Sequence, residues 1–216
     1  MDVILDQKTG FYIRKGVESD KLDVPETKWH YHELDFSNKV CLDIGDYIGS
    51  FAKLAINRGA KSVYLYEPEK ENFELCQLNC KDIPVFLFNA AVVGDARKTE
   101  RLYIKKWGKW GHSLYTKGGI GIQIVDCVNI NDVVISTKPD VVKINAQTSE
   151  YNIFENWTEI SGVTQIAVEV HLGTRLYRQV KAPQLLQKLS SWGFTAVKPI
   201  KIGQKNWHSV GVYRRD

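Results

Sequence analysis

Apolar positions along the chain fall into short runs separated by amphipathic stretches. Val40–Ile44 (VCLDI) is a continuous apolar run that stops at Gly45, and Ser50–Arg58 (SFAKLAINR) after it has helical apolar spacing, closed by Gly59. The alternation then repeats. Lys61–Tyr66 predicts a second strand, Glu69–Asn79 a second helix with Pro68 at its start, and Val85–Val93 (VFLFNAAVV) a third strand passing into a loop. Arg101–Ile104 predicts a short extra strand, and Lys105–Gly121 an inserted loop. Ile122–Asn129 is β-prone, Asp140–Asn145 (DVVKIN) is a buried strand, Glu150–Trp157 a helix, and Ile166–His171 (IAVEVH) a strand. Ala182–Trp192 is an amphipathic helix and His208–Arg214 a last strand. Strands alternating with helices predict an α/β domain with a mostly parallel sheet and helices on both faces. That domain is expected over residues 38–216, with residues 1–37 as an extension covering the core.

Composition narrows the class. With 216 residues, 44% hydrophobic and 25% charged, the chain suits one domain that buries its own core. No apolar run is long enough to span a membrane, and the first residues (MDVILDQKTG) do not have the pattern of a leader peptide. Cys41 and Cys127 sit in strand-like runs. Cys76 and Cys80 lie four apart on a predicted helix, with no partners in a zinc-ligand pattern, so a reducing, cytoplasmic setting is expected. The net charge of +4 is uneven: Thr174 to Asp216 holds nine basic residues and one acid, which leaves the rest of the chain at −4. Such a stretch is either a solvated face or a surface for an anionic partner.

The strongest chemical signal is Leu42-Asp43-Ile44-Gly45-Asp46-Tyr47-Ile48-Gly49-Ser50-Phe51. Here a strand ends in a glycine turn that opens a helix, and ligands bind beyond the carboxyl ends of such strands. Glu67, in Tyr66-Glu67-Pro68 at the end of the next strand, stands where an acid accepts hydrogen bonds from ribose hydroxyls. A nicotinamide-binding protein shares this acid, but Ser50-Phe51 after Gly49 departs from its third-glycine pattern.

From VCLDIGDYIGSF through YLYEPEKENFELCQLN, FNAAVVGDARKTERLYI and PDVVKINAQTSEYNIFENW to IAVEVH, about residues 38 to 172, the chain resembles the FkbM-type methyltransferases. The resemblance implies a class I, Rossmann-like methyltransferase fold with a seven-stranded, mostly parallel sheet, the last helix and strand forming its antiparallel edge. It implies S-adenosyl-L-methionine as cofactor, and methylation of oxygens of small molecules and sugars. Asp43, Gly45, Tyr47, Gly49 and Glu67 are then the cofactor-binding candidates, with Asn89 and Ala90 near the adenine. Asp43 has an alternative role as a tether of the loop backbone.

The family pattern Lys-Ile-Asp-x-Glu-Gly-x-Glu reads Lys143-Ile144-Asn145-Ala146-Gln147-Thr148-Ser149-Glu150 in this chain. Two acids have become amides at Asn145 and Gln147, and the glycine has become Thr148. An amide takes no proton and binds metal poorly, so no metal is expected. Asn145, His171 and Lys143 are the catalytic candidates, with His171 as first choice of base and His112 as second. Trp107, Trp110 and His112 in the inserted loop are the substrate-binding candidates, since indoles among lysines can stack on a ring and hold an anion. The acceptor expected is a small anionic or sugar-containing molecule. The alternatives are N-methylation or methylation of a nucleic acid, and a domain that binds cofactor or partner without catalysis.

Overall fold

The computed structural model describes residues 1–106, 109–203 and 207–216. A hairpin of β1 (Val3–Asp6) and β2 (Phe11–Arg14) leads into α1 (Glu18–His30). Then β3 (Val40–Ile44), α2 (Ser50–Asn57), β4 (Ser62–Tyr66), α3 (Lys70–Asn79) and β5 (Val85–Phe88) alternate. A small three-stranded sheet follows from β6 (Ala91–Val93), β7 (Thr99–Ile104) and β8 (Gly121–Asn129), in the order β6-β8-β7. The chain closes with α4 (Ile130–Thr137), β9 (Val141–Ile144), α5 (Ser149–Asn156), β10 (Gln165–His171), a π-helical turn at Tyr177–Lys181, α6 (Ala182–Ser191), β11 (Thr195–Lys198) and β12 (His208–Arg214).

The main sheet has seven strands in the order β11-β12-β10-β9-β3-β4-β5. Strands β10, β9, β3, β4 and β5 run parallel, and β12 is antiparallel to both its neighbours. The class I methyltransferase fold predicted from the sequence is therefore present. The central strands read as unbroken apolar runs because both their faces are covered. Successive residues of β3 point into different cores: Leu42 and Ile44 pack with Phe154, Trp157 and Leu185, whereas Cys41 packs with Phe51, Ala55 and Phe36 on the other side.

Several elements differ from the sequence reading. The run Val85–Val93 is two strands in two sheets. The chain leaves the main sheet at Asn89, whose amide turns back to donate to the carbonyls of Glu67 (2.9 Å) and Pro68 (3.1 Å). The antiparallel strand β12 lies inside the sheet, and the edge is β11, four mostly exposed residues (TAVK) with no apolar alternation to reveal them. Helix α4 (INDVVIST) is rich in β-branched residues, which favour strands, yet it is nucleated by Asn129 accepting from Asn131 N (2.8 Å). Helix α1 lies in the segment expected to cover the core. It is polar, carries Pro25 in its interior, and has acids in its first turn and Lys28 and His30 in its last, as the helix dipole favours.

A buried ion pair within the N-terminal segment organises the contacts that hold it on the core. Asp20 of α1 accepts from the backbone N, Nε and NH2 of Arg14 at 2.8, 3.0 and 2.8 Å, and Arg14 NH1 donates to Asn72 of α3 (2.9 Å). Asp20 and Ser19 also hold the Tyr47 hydroxyl.

Gly49 opens α2 at φ +89°, and a Cβ there would stand 2.8 Å from Cys80 Sγ and 3.5 Å from the Cys76 Cα. Its role is to let α2 meet α3. Gly49→Ala should therefore cost about 1–3 kcal/mol from left-handed backbone and overpacking. In thermal melts, Cys80→Ala in the same chain should recover the packing share but not the backbone share.

Candidate active site

A cavity of about 300 Å³ opens at the carboxyl ends of β4, β3, β9 and β10 and is roofed by α1. Its base is set by one buried ion pair. Lys143 of β9 donates to Asp43 Oδ1 (2.9 Å) and to the Gly45 carbonyl (2.6 Å), so it fastens two adjacent strands and the start of the glycine turn together. Burial pulls the Lys143 ammonium down, but Asp43 and Asp46 outweigh it and hold its pKa above the ordinary lysine value. Asp43 is fully buried and does not line the cavity, so the tether is the role its geometry supports.

The glycine turn is shaped by the protein's own backbone. Gly45 has φ +78°, and a Cβ on it would sit 2.1 Å from the Asn145 carbonyl oxygen. A side chain there would strike β9's continuation, although Gly45 also lines the cavity. Gly49 also lies outside the cavity lining. Asp46, which the sequence reading passed over, does line it, and its two carboxylate oxygens accept from Phe51 N (2.8 Å) and Ala52 N (3.0 Å). It supplies the helix cap that Gly49 cannot. Burial, then the neighbouring Asp43, push Asp46 well above the usual carboxylate range.

On the β4 side, Glu67 accepts from Tyr47 N (3.1 Å), Glu69 N (3.0 Å) and Asn72 Nδ2 (3.4 Å). Burial raises it to about 7 despite these bonds. Tyr47 lines the cavity with its backbone at φ +70° and its ring 6.2 Å from that of Trp110. Asn89 and Ala90 do not line the cavity; Ala91 and Val92, one and two residues on, do. Asn89 is spent on its two carbonyls, and Ala90 packs in the core.

The inserted loop reaches this same side. Asn72 Nδ2 donates to the Lys109 carbonyl (3.4 Å), and Lys109 pairs with Glu71 (3.1 Å). Trp110 and His112 line the cavity, and Trp107 lies outside the described residues. His112 Nδ1 accepts from Lys105 N (3.0 Å), while its buried Nε2 has no partner among the described residues. Burial, with Lys109 and Arg14 adding to it, brings His112 down to about 4, so the ring is neutral at physiological pH. A backbone N–H can only donate, so Nδ1 carries the lone pair and the proton sits on Nε2.

Beyond β9, the wall is built of acids and imidazoles. Asp23, Glu26, Thr27 and His30 come from one stripe of α1, Glu169 and His171 from β10, and His208 from β12. His171 Nδ1 is 3.0 Å from Glu150 Oε1, whose carboxylate also accepts from His171 N (2.8 Å). Glu169 Oε1 lies 2.7 Å from His208 Nδ1 and 3.8 Å from His171 Nε2. Burial lowers His171, but Glu150 and Glu169 more than offset this and leave it above the ordinary histidine value. His208 is raised chiefly by its hydrogen bond to Glu169. Burial pushes Asp23 up to about 7. Asn145 lines the cavity between the two sides, its Oδ1 accepting from Gln147 Nε2 (3.3 Å). Gln147 and Thr148 both have left-handed backbone, φ +48° and +81°, and Ser113 of the inserted loop donates to the Gln147 carbonyl (2.6 Å).

The basic C-terminal stretch is used elsewhere. Arg178 donates to the Leu172 carbonyl (2.8 Å), Lys198 to that of His30 (3.1 Å), and Arg215 to those of Ile160 (2.6 Å) and Val163 (2.7 Å). None of its described basic residues lines the cavity.

The model of the methyltransferase FkbM domain matches residues 43–196, and the chain belongs to that family. It is an S-adenosylmethionine-dependent methyltransferase. Among solved structures, a protein from Listeria monocytogenes described as an S-adenosylmethionine-dependent methyltransferase superposes with TM-score 0.54 at 12% identity, over 91% of this chain and 99% of that one. The yhhF protein of Escherichia coli, described as a methyltransferase, gives 0.52 at 13% identity, over 100% and 98%. M. jannaschii TYW2, solved in complex with AdoMet, gives 0.50 at 12% identity, over 99% and 86%. At these identities the likeness is one of fold. No curated protein matches the sequence significantly.

Glu67→Ala should weaken S-adenosylhomocysteine binding by about 1–3 kcal/mol. With wild type near pH 7, binding should also release protons, because hydroxyls donating to Glu67 favour its carboxylate over an acid form poised at about 7. Calorimetry in buffers of different ionisation enthalpy measures both.

Proposed function

We propose that this member of the FkbM methyltransferase family transfers a methyl group to an oxygen of a small, uncharged, hydroxyl-rich acceptor such as a sugar. The observation that carries the reading is a single cavity that runs from Gly45 and Glu67, at the ends of β3 and β4, to the carboxylates and imidazoles beyond β9. The first side fits S-adenosylmethionine: Glu67 is a desolvated acceptor beside an apolar wall. When bound, that cofactor supplies an electrophilic methyl group on a sulfonium.

The far side suits an acceptor hydroxyl. Carboxylates there can accept hydrogen bonds from several hydroxyls, and Glu150 fixes the His171 ring with its Nδ1 engaged. His171 would then take the hydroxyl proton on Nε2 as the oxygen gains the methyl group, the methyl–sulfur bond breaking to leave a neutral thioether. This makes up for the acids absent at Asn145 and Gln147, and Asn145 positions the acceptor by its amide. Lys143 is a positioning group, since both Asp43 and the Gly45 carbonyl hold its ammonium.

The same wall argues against the anionic part of the sequence expectation. Glu169, held below the usual carboxylate range, repels a phosphate, and the described lysines and arginines of the C-terminal stretch lie outside the cavity lining. A nucleic acid meets the same obstacle, because its binding rests on lysine and arginine contacts to phosphates.

Labelled methyl from S-adenosylmethionine should appear on neutral sugars in a panel that also holds sugar phosphates, amines and oligonucleotides. Label on oligonucleotides alone would overturn the reading. Transfer should survive chelator, because amides stand where metal-binding acids would be; activity lost to chelator and restored by magnesium would refute that part.

The rate should rise as pH climbs through the His171 pKa, which lies above the ordinary histidine value. Glu150→Gln removes the partner that raises it, so the acid limb of the profile should move to lower pH. An unmoved limb counts against His171 as the base.

A further inference from the structure

The inserted loop, whose Trp110 and His112 are the acceptor-binding candidates of the sequence, docks beside the segment that follows β4. Residues 109–112 lie against the start of α3, directly after Glu67 and Pro68, through the Asn72–Lys109 and Lys109–Glu71 contacts. Trp110 packs toward Tyr47 of the glycine turn. Residues 109 and 110 therefore sit on the β4 side of the cavity, while Ser113 reaches the turn after β9. Around it Pro68, Ala91, Leu102 and Leu114 make an apolar wall, Leu102 and Leu114 packing with Ala91 in the small sheet's own core.

We infer that His112 is a nucleoside-binding residue whose Nε2–H donates to a ring nitrogen of the adenine of S-adenosylmethionine. A purine has apolar faces and acceptor nitrogens on its edge, so it asks for an apolar slot with a donor at the rim. The slot is present beside Glu67, and His112 contributes a buried donor that no described residue satisfies. Such a donor is costly until an acceptor arrives. The Lys105 N–H fixes the tautomer by occupying Nδ1, and the ring's neutrality keeps that tautomer at physiological pH. Asn89, the residue expected near the adenine, is exposed and already bonded to two carbonyls. The inference rests on S-adenosylmethionine as the cofactor.

Calorimetry with adenosine and its 1-deaza, 3-deaza and 7-deaza analogues tests it without any acceptor. His112→Phe should weaken adenosine about 5- to 30-fold, the worth of one positioned hydrogen bond. His112→Gln, whose amide N–H reaches about as far as Nε2, should recover most of that. One deaza analogue should lose a similar factor on wild type, and should bind wild type and His112→Phe alike. The assignment is overturned if all three analogues match adenosine on wild type, or if His112→Phe weakens all four ligands equally. Should both variants fail to fold, the analogue series on wild type decides alone. Wild type that binds S-adenosylhomocysteine but shows no analogue difference sinks the His112 assignment only. Wild type that binds neither S-adenosylhomocysteine nor adenosine sinks the cofactor reading with it.

Discussion

The pair formed by Asp43 and Lys143 is what the rest of the site hangs on. It is buried on both sides and joins β3 to β9 at the point where the glycine turn begins. Because Lys143 also holds the Gly45 carbonyl, the turn, the Asn145 backbone packed against it and the capping acid Asp46 are placed by one ammonium. Breaking such a pair by losing one partner typically costs about 3–5 kcal/mol, since the other charge stays buried. Two residues that a sequence reading assigns to ligand and to catalysis thus also bolt the two central strands together at the cavity.

A second set of contacts extends this order outward. Tyr47 leaves the turn with left-handed backbone and is held at both ends, its N–H on Glu67 and its hydroxyl on Ser19 and Asp20. Asp20 in turn holds Arg14, which reaches Asn72. The N-terminal segment is therefore wired to the turn after β3 and to α3, and α1 is fixed as the roof.

The parts of the fold visible in the sequence are those governed by apolar periodicity. The strands β3, β9 and β10 and the helices α2 and α6 bury apolar faces, and their runs and spacings announce this. Strand β11 buries little, α4 is β-branched and depends on its Asn129 cap, and the break at Asn89 is a side chain turning to two carbonyls, which no periodicity reports. The candidate site was legible where a motif is local, at Gly45, Tyr47, Glu67, Asn145 and His171. It was not legible at α1, though a signal existed: Asp23, Glu26, Thr27 and His30 follow helical spacing, but as a polar stripe facing an internal cavity. A search for apolar stripes passes over it. Likewise Glu169 and His171 are two apart on a strand and so share a face, a pairing that becomes meaningful only once the cavity is known. Trp110 and His112 were legible as residues of the site, but not their docking against α3, because that depends on contacts far away in the chain.

The turn after β9 is wound against its preference. Two successive residues with side chains, Gln147 and Thr148, sit in left-handed backbone, one of them β-branched, where the family pattern has a glycine. Each such residue stores about 1–2 kcal/mol. The Ser113 hydroxyl on the Gln147 carbonyl couples this turn to the inserted loop. The inserted loop is thus anchored, through one hydroxyl, on the segment of the cavity wall whose backbone conformation side chains least favour, and a glycine at position 148 would relax that anchor point without touching the loop itself.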